Sequence, residues 1–293
     1  SMPTTVKVEQ SIVVVATLKD QYQKAIPGVT IDYELLTGAI EQTIGSARTD
    51  QDGVASLPYV PTSVGTFQLR AQYKEGTQYL GVSELESLTV NLLATALTMN
   101  SLSTSRVGDT LMLEALLKDE NDVAIRGVAV RYSFYLNGAW NVIGTAVTNT
   151  SGVATKEYAP DLAGAFRFKA EFIGDAKHSG AISQEVSAAI NKIQTTLTLS
   201  ISNSTPQVDA SIIVSAILQS EGSLPISQSG VYYQILKDGT WIRIGNATTD
   251  FHGTASISYQ PHEAGTFRIR AAYDGNQKYS ESTSEETTLE VIG

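Results

Sequence analysis

The sequence predicts an all-β protein built from three tandem β-sandwiches. Three observations carry that expectation: an internal repeat of about 100 residues, two-residue hydrophobic alternation with no competing helical period, and turn signals roughly every 8–12 residues. The repeat is the strongest. Gly65–Tyr73 (GTFQLRAQY), Gly164–Phe172 (GAFRFKAEF) and Gly265–Tyr273 (GTFRIRAAY) lie 99 and 101 residues apart. The same offsets align Gly45 with Gly144 and Gly245, Gly53 with Gly152 and Gly253, Tyr59 with Tyr158 and Tyr259, and Pro61 with Pro160 and Pro261. A period this long suits a unit with its own core rather than a solenoid repeat of roughly 20–50 residues.

Divided on these offsets, the 293 residues give expected repeats at 1–92, 93–192 and 193–293. The joints fall near Asn91–Leu93 and Asn191–Ile193. They hold no Gly/Ser or Pro-rich tract, which predicts limited hinge freedom. Ala94–Met99 opens the second copy and Thr195–Leu199 the third, whereas only Thr4–Val8 precedes Ser11 in the first. The first copy's opening strand is therefore expected to be short or truncated. Ser1-Met2 is not a natural start and is expected to be an addition.

Within each copy the alternation defines half-buried antiparallel strands. Ile12, Val14, Ala16 and Leu18 share one face, as do Leu111, Leu113, Ala115 and Leu117, and Ile212, Val214, Ala216 and Leu218. Phe67, Leu69, Ala71 and Tyr73 point inward while Gln68, Arg70 and Gln72 point out. Thr49–Gly53, Thr148–Gly152 and Thr249–Gly253 each place Asp or Asn second and Gly last, a turn in which the Asx side chain bonds the backbone and Gly takes positive φ. Asn137-Gly138 and Asp238-Gly239 are hairpin signals. In the third copy the expected strands are 195–202, 211–219, 229–236, 241–248, 253–259, 265–273 and 284–292. About seven short strands in ~100 residues indicate an immunoglobulin-like sandwich.

The run Thr249-Asp250-x-x-Gly253-x-Ala255-x-x-x-Tyr259-x-Pro261-x-x-Ala264-Gly265-Thr266-Phe267, continuing through Ala271, Tyr273, Gly275 and Tyr279, resembles the bacterial and archaeal Ig-like repeats of large surface proteins. Copies one and two carry most of it. The resemblance implies an extracellular or cell-surface spacer or adhesive module whose partners are neighbouring domains of a larger protein, with a glycan or another surface protein as a further partner. Such repeats often carry Tyr where Phe67, Phe166 and Phe267 stand, and a Phe there cannot form the hydroxyl bond of a tyrosine corner.

Composition removes other classes. There is no cysteine, hence no disulfide framework, Cys-type zinc site or thiol nucleophile. The net charge of −10 argues against a nucleic-acid partner, which needs a basic face. No positively charged apolar leader is present, and no apolar run reaches the ~18 residues of a membrane span.

Each cluster of chemistry-bearing residues has a structural reading beside the functional one. His178, His252 and His262 occupy unrelated repeat positions, His178 in the slot of Tyr79 and Tyr279, and no Gly-x-Ser-x-Gly elbow exists. Asp119-Glu120-Asn121-Asp122 is the densest set of oxygen ligands; its siblings Asp20-Gln21-Tyr22-Gln23 and Ser220-Glu221-Gly222-Ser223 do not repeat the charge, which favours a solvated loop over calcium at an interdomain joint. Lys156 replaces Leu57 and Ile257 at an inward position and must snorkel, pair or react, an isopeptide with Asn being the reactive option. Trp140 and Trp241 align, with Glu41 in the first copy; each either covers its hairpin or offers a stacking face to a sugar. Outward Arg70, Lys169 and Arg270 are expected to solubilise their sheets. Sequons at Asn149, Asn203 and Asn246 fall in expected turns or strand ends. No catalytic, cofactor or metal residue is assigned. The expected function is a non-catalytic spacer of an adhesin or surface-layer type protein, with a glycan- or protein-binding adhesive module and an accessory region of a large secreted enzyme as alternatives.

Overall fold

The computed structural model describes residues 2–74 and 76–293. Every regular element among them is a strand. The first copy contributes β1 (Thr5–Lys7), β2 (Ile12–Thr17), β3 (Thr30–Thr37), β4 (Ile40–Arg48), β5 (Val54–Tyr59), β6 (Gly65–Tyr73) and β7 (Val82–Asn91). The second contributes β8 (Thr95–Met99), β9 (Ser105–Arg106), β10 (Leu111–Asp119), β11 (Ala129–Leu136), β12 (Ala139–Val147), β13 (Val153–Tyr158), β14 (Gly164–Phe172), β15 (Ala181–Ile182) and β16 (Val186–Asn191). The third contributes β17 (Thr195–Ile201), β18 (Ile212–Ser220), β19 (Leu224–Pro225), β20 (Gly230–Lys237), β21 (Thr240–Thr248), β22 (Thr254–Tyr259), β23 (Gly265–Tyr273), β24 (Ser282–Thr283) and β25 (Thr287–Val291).

In the second copy one sheet runs β13-β10-β8 and the other β12-β11-β14-β16-β9. The third repeats this with β22-β18-β17 facing β21-β20-β23-β25. The fold is the immunoglobulin-like sandwich expected from the alternation, with three separate clusters of buried apolar side chains. In the third copy six of the seven expected strands agree with the observed ones to within a residue. The seventh differs. Expected over 284–292, it starts only at Thr287, as β25, because buried Ser284 accepts the Ala271 amide on its hydroxyl (2.9 Å) in place of a ladder bond, and the short β24 precedes that break. Ser183 does the same to Ala170 in the second copy. The first copy has no such break, and β7 stays paired with β6 from Val82 to Val90.

One tyrosine in each copy ties the two sheets together. Tyr33, Tyr132 and Tyr233 are fully buried at matching positions. Their hydroxyls donate to the carbonyls of Ala55 (2.8 Å), Ala154 (2.7 Å) and Ala255 (2.7 Å) on the opposite sheet. A buried phenol needs such a partner. The bond that Phe67, Phe166 and Phe267 cannot make is thus supplied elsewhere in the sandwich. Gly53, Gly152 and Gly253 close the repeated turn at φ +76°, +76° and +77°. A Cβ there would lie 2.4–2.5 Å from the carbonyls of Leu18, Leu117 and Leu218, so glycine is required by contact as well as by dihedral. Asp50, Asn149 and Asp250 fold the turn by accepting, through Oδ1, the amides two and four residues further on.

Burial pushes the Tyr132 and Tyr233 phenols up to about 12 from 10.0. Because the folded-state value is the raised one, their contribution to stability is complete below pH 10 and is lost as pH rises towards 12. Tyr132→Phe and Tyr233→Phe should each lose about 0.5–1.5 kcal/mol at neutral pH through the missing hydrogen bond. Both should flatten the loss of stability across that alkaline window, as read by denaturant unfolding at graded pH.

Candidate functional site: the joints between repeats

Two residues link successive copies, and each belongs to both. Leu93 is buried in the first copy's core. Its backbone meanwhile forms a parallel bridge with His178 of the second copy: the Leu93 amide donates to the Lys177 carbonyl (2.8 Å), and the Ser179 amide donates to the Leu93 carbonyl (2.9 Å). Ile193 repeats the arrangement one copy later. Its side chain packs on the second core, and its backbone bridges Tyr279 through Lys278 and Ser280 (both 2.9 Å). The hydroxyls of Thr95 and Thr195 add bonds to the carbonyls of Ser179 (2.8 Å) and Ser280 (3.0 Å). At the second joint a further backbone bond runs directly between copies, from the Ala163 amide to the Gln277 carbonyl (2.9 Å).

Charges mark the same two places. Lys7 of the first copy pairs with Glu120 of the second (3.5 Å), and Arg106 of the second pairs with Glu221 of the third (2.5 Å). These are homologous positions in the repeat, and their counterparts without a neighbouring copy in this chain are the neutral Gln21 and Gln207. Lys177 pairs with Glu9 across the first joint. The Glu221 hydrogen bond raises the Arg106 pKa above its ordinary value. All these groups are substantially solvent-exposed, so they steer the joint and are screened by salt.

The acidic loop is therefore part of a joint. Glu120 meets Lys7 and the Ala94 amide, Asp119 Oδ1 accepts the amides of Asn121 and Val123, and Asp122 pairs with Lys118. Among the described residues no group of three or more His, Asp or Glu side chains could hold a metal ion.

The other singled-out residues are dispersed. His178 Nδ1 sits 2.9 Å from Asp175, His262 Nδ1 sits 2.7 Å from Asp209, and the exposed His252 ring lies tilted at 43° against Phe251. Half-buried Lys156 brings its Cε and Nζ over Gly144, where Leu57 covers Gly45 and Ile257 covers Gly245; its ammonium makes no hydrogen bond among the described residues. Trp140 and Trp241 are half-buried, each with a cation over one face: Lys169 at 4.1 Å and Arg270 at 4.0 Å. In the first copy the same pair of positions holds Glu41 and Arg70, joined by an ion pair at 2.8 Å. The outward cations expected to solubilise their sheets thus reach across the intervening strand to cap the sheet's edge strand. Asn149 and Asn203 are exposed in turns, and exposed Asn246 lies within β21, two residues from its end.

No family model matches the chain, and no curated protein does. Solved structures do. A tetra-tandem repeat from the extending region of a large adhesion protein aligns over 99% of this chain and 73% of its own, with TM-score 0.53 and 14% identity. Invasin, a bacterial integrin-binding protein, aligns over 99% and 58% with TM-score 0.41 and 15% identity. The Yersinia pseudotuberculosis adhesin InvE aligns over 68% and 59% with TM-score 0.40 and 15% identity. The chain has the tandem Ig-like sandwich fold found in adhesin repeats.

If Arg270 caps Trp241 as the geometry indicates, a double-mutant cycle of Arg270→Ala and Trp241→Ala should return a coupling of about 0.5–1 kcal/mol in chemical unfolding. Independent effects of the two changes would remove the cation–π assignment.

Proposed function

We propose that the chain is a non-catalytic spacer within a cell-surface or secreted adhesin-type protein, built of three sandwich domains with boundaries at 92/93 and 192/193. The observation that carries this reading is the joint. A connection meant to swing freely would be a solvated linker. Here a single residue packs into the core of one copy, Leu93 buried and Ile193 half-buried, and is hydrogen-bonded to the next, with the same backbone bridge at both joints. Repetition then sets reach. Each sandwich, at ~3.3 Å per residue over its strands plus loops, contributes about 35–45 Å, and three in line would span about 110–130 Å. The likeness to a repeat from the extending region of an adhesion protein supports the same reading through fold. A sugar-stacking role for the tryptophans has less support, because a cation already covers one face of each indole.

Small-angle X-ray scattering on the monomer tests the spacer. The expected maximum dimension is about 110–130 Å, unchanged between low and high salt because the exposed ion pairs are not the main constraint. A short Gly-Ser segment inserted between Lys192 and Ile193 should broaden the distance distribution while leaving the unfolding transitions in place. A compact particle, or an insertion without effect, would contradict the proposal.

A further inference from the structure

The outer face of the third copy's larger sheet carries two guanidinium groups that no carboxylate neutralises. Arg243, Gln234 and Arg270 stand side by side on β21, β20 and β23. Two strand spacings separate the arginines, about 10 Å between their Cα atoms. Arg243 lies over the Tyr232 ring at 4.9 Å, and Arg270 over the Trp241 ring at 4.0 Å. The Arg270 Nε donates to Gln234 Oε1 at 2.9 Å. Among the described residues neither arginine has an ion pair, and the Nη nitrogens of both lack a hydrogen-bond partner. Carboxylates of the same face are engaged or distant. Asp274 accepts the Tyr232 hydroxyl (2.9 Å), Glu286 pairs with Arg268 (2.8 Å), and Glu290 stands two rows away, opposite Thr266.

The repeat shows what changed. In the first copy the same row reads Thr43, Glu34 and Arg70. There the arginine is neutralised: its Nε donates to Glu34 (2.7 Å) and its Nη2 to Glu41 (2.8 Å). In the second copy the row reads Val142, Ser133 and Lys169, with a single cation. From the first copy to the third, Glu34 becomes its neutral isostere Gln234, Glu41 becomes Trp241, and Thr43 becomes Arg243. All three changes raise the positive charge of this face, in a chain whose net charge is −10. Capping Trp241 requires Arg270 alone. It accounts neither for Arg243 nor for the neutral amide at position 234.

We propose that this face is a site for an acidic polysaccharide, whose carboxylate or sulfate groups are taken by Arg243 and Arg270. A guanidinium offers a planar fork of N–H donors that meets an oxyanion with two bonds, and the ring beneath each arginine limits the freedom lost on binding. The indole holds the cation, and the cation holds the ligand. The spacing lets two acidic groups of one extended chain bind together. Between them Gln234 keeps its Nε2 for a sugar hydroxyl. An acidic peptide is the poorer occupant: β20 and β23 lie inside the sheet with strands on both sides, so the face presents no backbone edge to pair with. Duplex nucleic acid would bring its dense charge against an acidic chain.

The test titrates the full chain with polygalacturonate, dextran sulfate, neutral dextran, poly-glutamate and double-stranded DNA, in low and in physiological salt. Binding to an acidic polysaccharide is expected, weakened by about tenfold or more in Arg243→Gln. Preference for polygalacturonate would mark the carboxylate as the recognised group, and preference for dextran sulfate the sulfate. Gln234→Glu should weaken binding as well, because it gives Arg270 the ion pair that Arg70 makes in the first copy. That variant should unfold no earlier than the unaltered chain, which separates loss of the site from loss of the fold. Arg126→Gln, at an exposed cation of the second copy, should leave the affinity unchanged. No binding to either acidic polysaccharide would overturn the proposal. So would equal binding of neutral dextran, poly-glutamate or DNA, or an affinity indifferent to both Arg243→Gln and Gln234→Glu.

Discussion

Leu93 and Ile193 are each asked to satisfy two neighbours, and the arrangement of the chain follows from that demand. The side chain must stay in an apolar core while the peptide groups on either side of the same Cα complete a parallel bridge with the next copy. Neither requirement leaves freedom to swing without exposing apolar surface or breaking two backbone hydrogen bonds. The ion pairs around the joints act on top of this. Lys7 with Glu120 and Arg106 with Glu221 are exposed and screened, so they select orientation more than they hold it.

Inside each copy the same economy recurs. A single buried phenol spans the two sheets, and a single glycine lets the repeated turn pass under a carbonyl. These positions do not vary between copies, whereas the surface they support does. The cap over the hairpin strand is a cation on an indole in two copies and an ion pair in the first. Exchange of one interaction for the other preserves the covering of the sheet, which points to a structural use for these side chains.

Much of this was legible in the sequence, because period two and the 99- and 101-residue offsets are written in side chains that must be buried or must turn. Tyr33, Tyr132 and Tyr233 carry a detectable signal, an invariant Tyr at repeat spacing, but their partner is a backbone carbonyl and has no sequence signature. The joint charges were equally present in the alignment of the copies. Glu120 read as one member of an acidic loop because nothing in the linear order says that Lys7 faces it. The break at Ser284 was hidden too: a serine hydroxyl replacing a ladder bond looks the same in sequence as a serine on a strand's outer face.

The central claim is that the joints fix neighbouring copies relative to one another. Residual dipolar couplings measured on the backbone amides of the intact chain in a dilute aligning medium test it most directly. The account predicts that the couplings of all three copies fit one alignment tensor, with equal magnitude in each, in low and in high salt. Tensors that differ in magnitude between copies would mean that the joints hinge, and would contradict it.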